Sequence, residues 1–418
     1  MTRKVLLFTT VDWPSTARYA GGFAACRWTV DALAPKAAPV KLSRYVDSHY
    51  HYAALNALAT LKRAIEASRP DLIVSCDDRA VAHLLGLHKR EKDSWIAALI
   101  RRSLGTPENF PEMISRAGSM AATAQIGIRT PKTLPVADET ELEAVLAEIG
   151  LPVVVKADGS WGGDGVVVVR TKEEAVAAFH RLRRPASRLR NLARALKRKD
   201  AHFLLEALKP SKILISVQKF VPGRSAASAF ACWNGEVAAT IHYDVLVSDG
   251  QIGPPNVIRR VDCAEMEEAS RRIARRFGLS GIYGLDFIRD DQGQAHLIEI
   301  NPRTTQGGTL AFGDGRDMPQ ALAACVTCTP SARREAIPND VVAFFPAEWQ
   351  RDAQSPYLLG GYHNVPWDDP KVLKHCFDSL PQAQTPDRKA AIERLLASAP
   401  AGNTAPSLGS PYLKPVQA

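Results

Sequence analysis

The chain has 418 residues, 46% hydrophobic and 23% charged, with a formal net charge of +9. That length allows two to four packed units, and no apolar run approaches the ~18 residues that cross a bilayer. Seven cysteines, odd in number and scattered, argue against a disulfide framework and for a reducing cytoplasm.

The start, MTRKVLLFTTVDW, reads as a first core strand and lacks the longer apolar stretch and small-residue cleavage site of a signal peptide. Residues 4–10, 38–43 and 71–76 read as short buried strands. Alanine-rich helical patterns at about 16–34, 51–68 and 79–88 separate them, and this alternation implies a parallel sheet with helices on its faces. No Gly-x-Gly-x-x-Gly follows the first strand, so a dinucleotide fingerprint is missing. A charged, proline-bearing segment from His88 to Glu112 marks a boundary. The helical stretch MISRAGSMAATAQIG follows, and IRTPKTLPV leads into a new unit.

In that unit LPVVVKADGSWGGDGVVVVR reads as strand, glycine loop, strand. Gly159, Gly162, Gly163 and Gly165 exceed what a tight turn needs, and so much glycine carries an entropic cost. The loop suits a flap whose backbone N–H groups close on an anion, with Lys156 supplying charge beside it. Thr171 and Glu174 form a capping box for the next helix. Residues 170–219 then carry 14 Lys/Arg against 4 Asp/Glu, which accounts for the whole basic imbalance. Their core, 181–199, reads as a basic helix or hairpin with Leu182, Leu189, Leu192 and Leu196 on its apolar side. No aromatic residue interleaves the arginines, so a solvated face is expected rather than a nucleic-acid surface.

KILISVQKFVPG is a strand ending in a loop. Two further strands meet at an Asn234–Gly235 turn, an amphipathic helix covers 264–279, and a strand pair runs from Gly281 to Arg303. From 331 onward one strand, VVAFFPAEW, is expected, then an irregular aromatic segment and a disordered tail.

The stretch HLIEINPRTTQGG carries the strongest chemical signal. Glu299, Asn301 and Arg303 stand at every second position, so one strand face presents a carboxylate, an amide and a guanidinium. Burying such a row without partners costs several kcal/mol. Asp286 lies on the strand that pairs with it, and two carboxylates with an amide oxygen suit Mg²⁺ completed by phosphate and water.

The order lysine strand, glycine loop, QKFVPG, GLDFI, EINPR resembles the ATP-grasp superfamily, in its carbamoyl-phosphate-synthetase-like and biotin-carboxylase-like branch. The resemblance covers about 110–312. It implies an α/β and α+β chain: a parallel-sheet pre-ATP-grasp domain over 1–110, then a two-lobed ATP-grasp fold. The lid half falls at 111–220, the metal and substrate half at 221–330, and a C-terminal extension at 331–418.

The resemblance also implies ATP and Mg²⁺ as cofactors, with Mn²⁺ a substitute, and Asp286, Glu299 and Asn301 as metal ligands. Lys156 would contact the phosphates under the 159–165 loop. Gln218, Lys219, Phe220 and Val221 form the adenine hinge, and Arg303 faces the transferred phosphoryl group and the substrate carboxylate. Where relatives usually carry Asp-Lys, this chain has Ser115 and Arg116, and arginine keeps the phosphate-gripping charge. The hinge opens with glutamine in place of the usual glutamate, and RSAAS stands where an acidic ribose ligand is common.

The implied activity is that of a small-molecule carboxylate–amine (or amino-acid) ligase, forming an amide through an acyl phosphate and releasing ADP and phosphate. A small-molecule kinase and a non-catalytic nucleotide-binding module are the alternatives. No membrane partner is expected, and a homodimer is compatible with the sequence. Cys325 and Cys328 read as buried core thiols rather than a redox or zinc pair. His242, Tyr243 and Asp244 in one strand, and Arg259 and Arg260 on a loop, stand within possible reach of a substrate.

Overall fold

The computed structural model describes residues 2–158, 165–184, 213–250 and 253–378, together with 393, 395 and 397. Gly159, Gly162, Gly163, most of the basic stretch 181–199 and nearly all of the tail lie outside the described residues.

The first unit is a parallel sheet. Strand β1 (Lys4–Phe8) lies between β2 (Thr29–Ala34) and β4 (Leu72–Ser75), with β3 (Ser48–His51) beyond β2. Successive side chains of a strand point to opposite faces, and both faces of β1 are buried. Val5 and Leu7 pack with Tyr19 and Phe23 of helix α1 (Ser15–Ala25). Leu6 and Phe8 pack with Leu61 and Ile65 of α2 (Ala57–Ser68) and with Val81 and Leu84 of α3 (Asp78–Arg90).

Two expectations fail here. Residues 38–43 are not a strand: Pro39–Leu42 form a single 3-10 turn. The second strand is 29–34, inside the stretch expected to be helical. Its centre, Asp31, is wholly buried, so the segment does not read as an apolar run. The carboxylate accepts a 2.6 Å bond from the Ser68 hydroxyl and faces the Lys4 ammonium at 3.4 Å. Helix α1 stops without a glycine, because Arg27 itself takes a left-handed φ of 63°. The charged segment expected as a boundary contains α4 (Trp95–Leu104), whose Ile96, Leu99 and Ile100 enter the core.

The second unit is a small antiparallel sheet ordered β5-β8-β6-β7: β5 (Thr133–Val136), β6 (Val153–Ala157), β7 (Val166–Val169) and β8 (Ile215–Lys219). Two helices cover it, α7 (Glu139–Ile149) and α8 (Lys172–Arg183). The capping box at α8 is present: Thr171 accepts from the Glu174 N–H at 3.2 Å, and Glu174 accepts from the Arg170 N–H at 2.7 Å.

The third unit is a seven-stranded sheet ordered β13-β12-β9-β10-β11-β14-β15. Strands β9 (Arg224–Trp233) and β10 (Glu236–Ser248) meet at Asn234 and Gly235, with φ of 50° and 82°. Both values are left-handed, as a two-residue hairpin turn requires. Strand β11 (Pro255–Val261) contains Arg259 and Arg260, which are therefore not on a loop. Strands β12 (Gly281–Arg289) and β13 (Ala295–Asn301) form the other edge, and α9 (Ala264–Phe277) packs beneath.

Beyond residue 331 the sheet continues. Strand β14 (Val341–Phe344) pairs with β11, and β15 (Tyr362–Asn364) adds to it in parallel. The segment expected to be irregular thus holds β15 and a helix at Pro370–Asp378. Cys325 is partly exposed and Cys328 exposed, so they are not core thiols.

The buried Asp31 pair generates a stability prediction. Asp31→Ala leaves the Ser68 hydroxyl without its acceptor and should lower unfolding free energy by about 1–3 kcal/mol. The double replacement Asp31→Val with Ser68→Ala should cost less than Asp31→Ala alone, since both polar partners leave together. Denaturant titration of the three proteins reads the order directly.

Candidate functional site

Strands β12 and β13 place the acidic residues, but not by simple alternation. Phe287 pairs with Leu297, and the next pair is Asp286 with Glu299, so Ile298 has no partner across the ladder. This one-residue bulge reverses the parity of β13. Leu297 and Ile300 both enter the same core, while Glu299 and Asn301 face the other way. Asp286 stands directly opposite Glu299, and the Asn301 amide donates to Asp286 at 2.9 Å.

Gly284 opposes Asn301 on the same face, and a Cβ there would overlap the Thr305 side chain. The chain after β13 can therefore fold back close to the sheet. Thr304 donates its N–H to the Ser75 carbonyl at the carboxyl end of β4, and the Tyr19 hydroxyl donates to the Thr305 carbonyl. The site thus lies where the large sheet meets the carboxyl ends of β1 and β4, the usual position for a ligand on a parallel sheet.

Two helices, α5 (Phe110–Ile114) and α6 (Arg116–Gln125), replace the single helix expected here. Ser115 breaks them and caps α6, accepting from the Gly118 N–H. Arg116 then projects into the site, donating to Glu299 at 2.8 Å with Asp158 at 3.9 Å. Burial raises the Asp158 carboxyl and Arg116 lowers it in part.

Lys156, at the end of β6, is buried. Its ammonium donates to the carbonyl of the bulged Ile298 at 3.1 Å, and the Gln218 amide approaches the same oxygen at 3.4 Å. Burial pulls the Lys156 pKa down to about 8, against the pull of Glu299. Gln218 is held through its side chain by Thr133, and Lys219 donates its ammonium to the Gly150 carbonyl. Phe220 donates its N–H to the Pro152 carbonyl at 3.3 Å, and Val221 follows it, half-buried. Gly165, the described end of the glycine loop, accepts from the Ala157 N–H at 2.8 Å.

Arg303 donates from Nε to Asp78 at 3.1 Å and from Nη1 to the Thr304 carbonyl, with its guanidinium 5.2 Å from the Trp13 ring centre. Asp78 and Trp13 belong to the first unit and were not singled out in the sequence. The DD pair at 77–78 and the aromatic residue soon after β1 were the available signals.

Of the other candidates, Tyr243 shares the site face: its hydroxyl is buried, and its pKa is raised, first by burial and then by Asp286. His242 points to the opposite face, bonded to Ser228 at 2.7 Å. Asp244 is held by Arg289 and Arg224, and Arg260 pairs with Asp340.

The donor set fits a hard divalent cation. Burial first and the facing Glu299 second raise the Asp286 pKa, so positive charge beside this pair would be favoured. Among the described residues no group of three or more His, Cys, Asp or Glu could hold a metal. Magnesium here would therefore rely on Asp286, Glu299 and the Asn301 amide oxygen, with ligand and water oxygens completing the shell. No helix among the described residues is long and apolar enough to cross a membrane.

Residues 121–315 match the ATP-grasp domain model. The chain is 26% identical over 282 residues to the carbamoyl phosphate synthase large chain of Hyperthermus butylicus, covering 66% of this chain and 24% of that protein. It is 26% identical over 187 residues to the D-alanine–D-alanine ligase of Pseudomonas entomophila, covering 42% of this chain and 50% of that one. The chain therefore spans a quarter to a half of these relatives' lengths. Its fold is similar to N5-carboxyaminoimidazole synthetase from Staphylococcus aureus, with a TM-score of 0.56, 12% identity and 79% of each chain covered. It is also similar to a biotin carboxylase–ATP analogue complex from Campylobacter jejuni, with a TM-score of 0.56, 14% identity and 78% and 71% covered.

The lowered Lys156 generates a pH prediction. An anion at Lys156 favours its protonated form, so above pH about 8 binding must take up a proton. ADP affinity should fall with rising pH there, by at most about tenfold per unit. Lys156→Arg stays charged throughout, and its calorimetric profile should lack that slope.

Proposed function

We propose, from the premise that residues 121–315 form an ATP-grasp domain, that this protein is an ATP-dependent ligase joining a carboxylate to an amine. The observation that carries this reading is the register of Asp286 against Glu299, with Asn301, Arg116, Lys156 and Arg303 around them.

In this reading a carboxylate oxygen attacks the γ-phosphorus of ATP. A new O–P bond forms, the bridging P–O bond breaks, and ADP leaves. The amine nitrogen then attacks the acyl carbon, the C–O bond to phosphate breaks, and the amine gives up a proton. Asp286, Glu299 and Asn301 would hold magnesium, which would neutralise charge on the phosphate oxygens. Arg116 and Lys156 carry the remaining positive charge toward the phosphates, and electrostatic positioning of this kind is the main protein contribution to phosphoryl transfer. Arg303 orients the carboxylate through its planar fork. The adenine is assigned to the 218–221 hinge. Gly159, Gly162, Gly163 and Gly165 are assigned to cover the phosphates and limit hydrolysis of the acyl phosphate.

An acyl phosphate is intercepted by hydroxylamine, whereas a phosphate ester is not. With ATP, Mg²⁺ and a suitable acid, hydroxamate should form without the natural amine. Glu299→Gln and Asp286→Asn should each lower that rate by orders of magnitude in folded protein, and Arg303→Lys should retain more of it than Arg303→Ala. Substrate-dependent ADP release with a stable phosphorylated product and no hydroxamate would instead make the protein a kinase.

A further inference from the structure

Tyr243 stands on the face that carries the metal carboxylates, and the catalytic reading leaves it without a role. One row of paired residues crosses the large sheet: Glu299, Asp286, Ala227, Tyr243, Arg260. Residues directly opposite one another share a face. Ala227 is the smallest side chain in the row, so a hollow separates Asp286 from Tyr243, whose backbones lie two strand spacings apart, about 10 Å. The tyrosine ring is 3% exposed and is fixed by the chain returning from the metal strand. A Cβ on Gly307 would lie 2.5 Å from its Cε1 and 2.7 Å from its hydroxyl oxygen, so only glycine lets the backbone pass there. Gly308 makes a similar approach to the Tyr19 hydroxyl, but that group is spent on the Thr305 carbonyl at 2.7 Å. The Tyr243 hydroxyl lies beside the Thr305 side chain instead. The Thr305 hydroxyl is buried with no hydrogen-bond partner among the described residues, so the Tyr243 O–H is not committed to it. A buried tyrosine hydroxyl usually finds a partner.

We propose that Tyr243 is a catalytic residue of the acyl-transfer step, its hydroxyl donating a hydrogen bond to the acyl oxygen as the amine attacks. The inference rests on the ligase reading and adds a residue to it. In-line transfer sets ADP and the acceptor oxygen on opposite sides of the phosphorus. With the phosphoryl group at the Asp286–Glu299 end of the row, the acyl group lies over Ala227, toward Tyr243. The amine nitrogen bonds to the acyl carbon, and the carbonyl π pair moves onto its oxygen, which becomes an oxyanion beside the Tyr243 O–H. On collapse the C–O bond to phosphate breaks, and the amine proton leaves on the phosphate as hydrogen phosphate. The tyrosine keeps its own proton throughout. Burial, and Asp286 after it, raise its pKa, so the group is a donor and not a base. A neutral donor suits this position, because the nearby Arg303 is already matched by Asp78. A fixed O–H dipole aimed at the developing charge stabilises it with no reorganisation at the moment of reaction.

The test separates the two chemical steps in the full chain with ATP, Mg²⁺ and hydroxylamine. The acid used is one from a panel of L-amino acids and short carboxylic acids that yields hydroxamate with the wild-type protein. Rapid-quench single turnovers follow ADP formation and hydroxamate formation separately. Tyr243→Phe keeps the ring against Gly307 and removes only the hydroxyl. Its ADP formation should stay within about threefold of wild type, with the KM for the acid and the melting temperature unchanged. Hydroxamate formation should fall about 100-fold, the usual loss for one oxyanion donor, so a burst of ADP precedes slow turnover. Thr305→Val should leave both steps within about threefold of wild type. An unchanged hydroxamate rate in Tyr243→Phe overturns the inference and leaves the ligase reading standing. So does a loss shared equally by both steps, a loss confined to ADP formation, or a loss that Thr305→Val reproduces. Hydroxamate from none of the acids with the wild-type protein overturns the ligase reading itself and the inference with it.

Discussion

The unpaired Ile298 in β13 is the constraint on which the rest of the site depends. Without that extra residue, Glu299 and Asn301 would share the face of Leu297 and point into an apolar core, where an ionised carboxylate is costly. With it, the same strand keeps Leu297 and Ile300 inside and presents both polar groups to the cleft. A bulge also leaves backbone groups without ladder partners, and β13 is an edge strand. The small lobe takes them up. Lys156 and Gln218 converge on the Ile298 carbonyl, and the Leu297 N–H donates to the Arg129 carbonyl at 2.9 Å. The residue that aims the carboxylates is thus the residue that docks the two halves of the cleft.

The distribution of apolar contacts says which parts can move. Two cores run continuously from the first sheet into the large one, one joining Leu7 and Phe23 to Tyr243 and Phe344, the other joining Phe8 and Leu61 to Phe230 and Phe287. These two units form one body. The small lobe has a separate core of Val153, Val155, Val217, Ala175 and Phe179. The bonds that tie it to the site are polar ones, through Lys156, Gln218 and the Arg116–Asp158 contact. Opening the cleft there exchanges hydrogen bonds with water and leaves both large cores intact, the physical condition for a hinged lobe.

Much of this was legible in the sequence because the signals were local. The Asn-Gly turn, the capping box at Thr171 and the strand pair around DDQG each depend on a few adjacent residues. Asp286 with Glu299 followed from that pair. The failures have a common cause in long-range contacts. Strand 29–34 was hidden by Asp31, which is tolerable only because Ser68 and Lys4 reach it from other elements. Helix α4 was hidden by its charged flanks, and β15 by its three-residue length beside a distant β14. The alternation of Glu299, Asn301 and Arg303 indicated the face, but the consecutive apolar pair Leu297–Ile298 was the trace of a bulge whose need appears only once the core beneath is known. The DD pair at 77–78 marked Asp78 only weakly, since its partner Arg303 lies 225 positions away.

The charges around the cleft also bear on what it can accept. Among the described residues, Asp78, Asp158, Asp286 and Glu299 stand against Arg116, Lys156 and Arg303, so these groups carry more negative charge than positive. A triphosphate adds several more negative charges. Each must be met within the cleft or left to water, because isolated like charges at short range in a low dielectric are strongly opposed. A divalent cation held by Asp286 and Glu299 would offset part of the excess and leave Arg116 and Lys156 to phosphate. Among the described residues the remaining cation, Arg303, is already matched by Asp78. A substrate that brings its own positive charge adds nothing to that imbalance, whereas a bare carboxylate increases it.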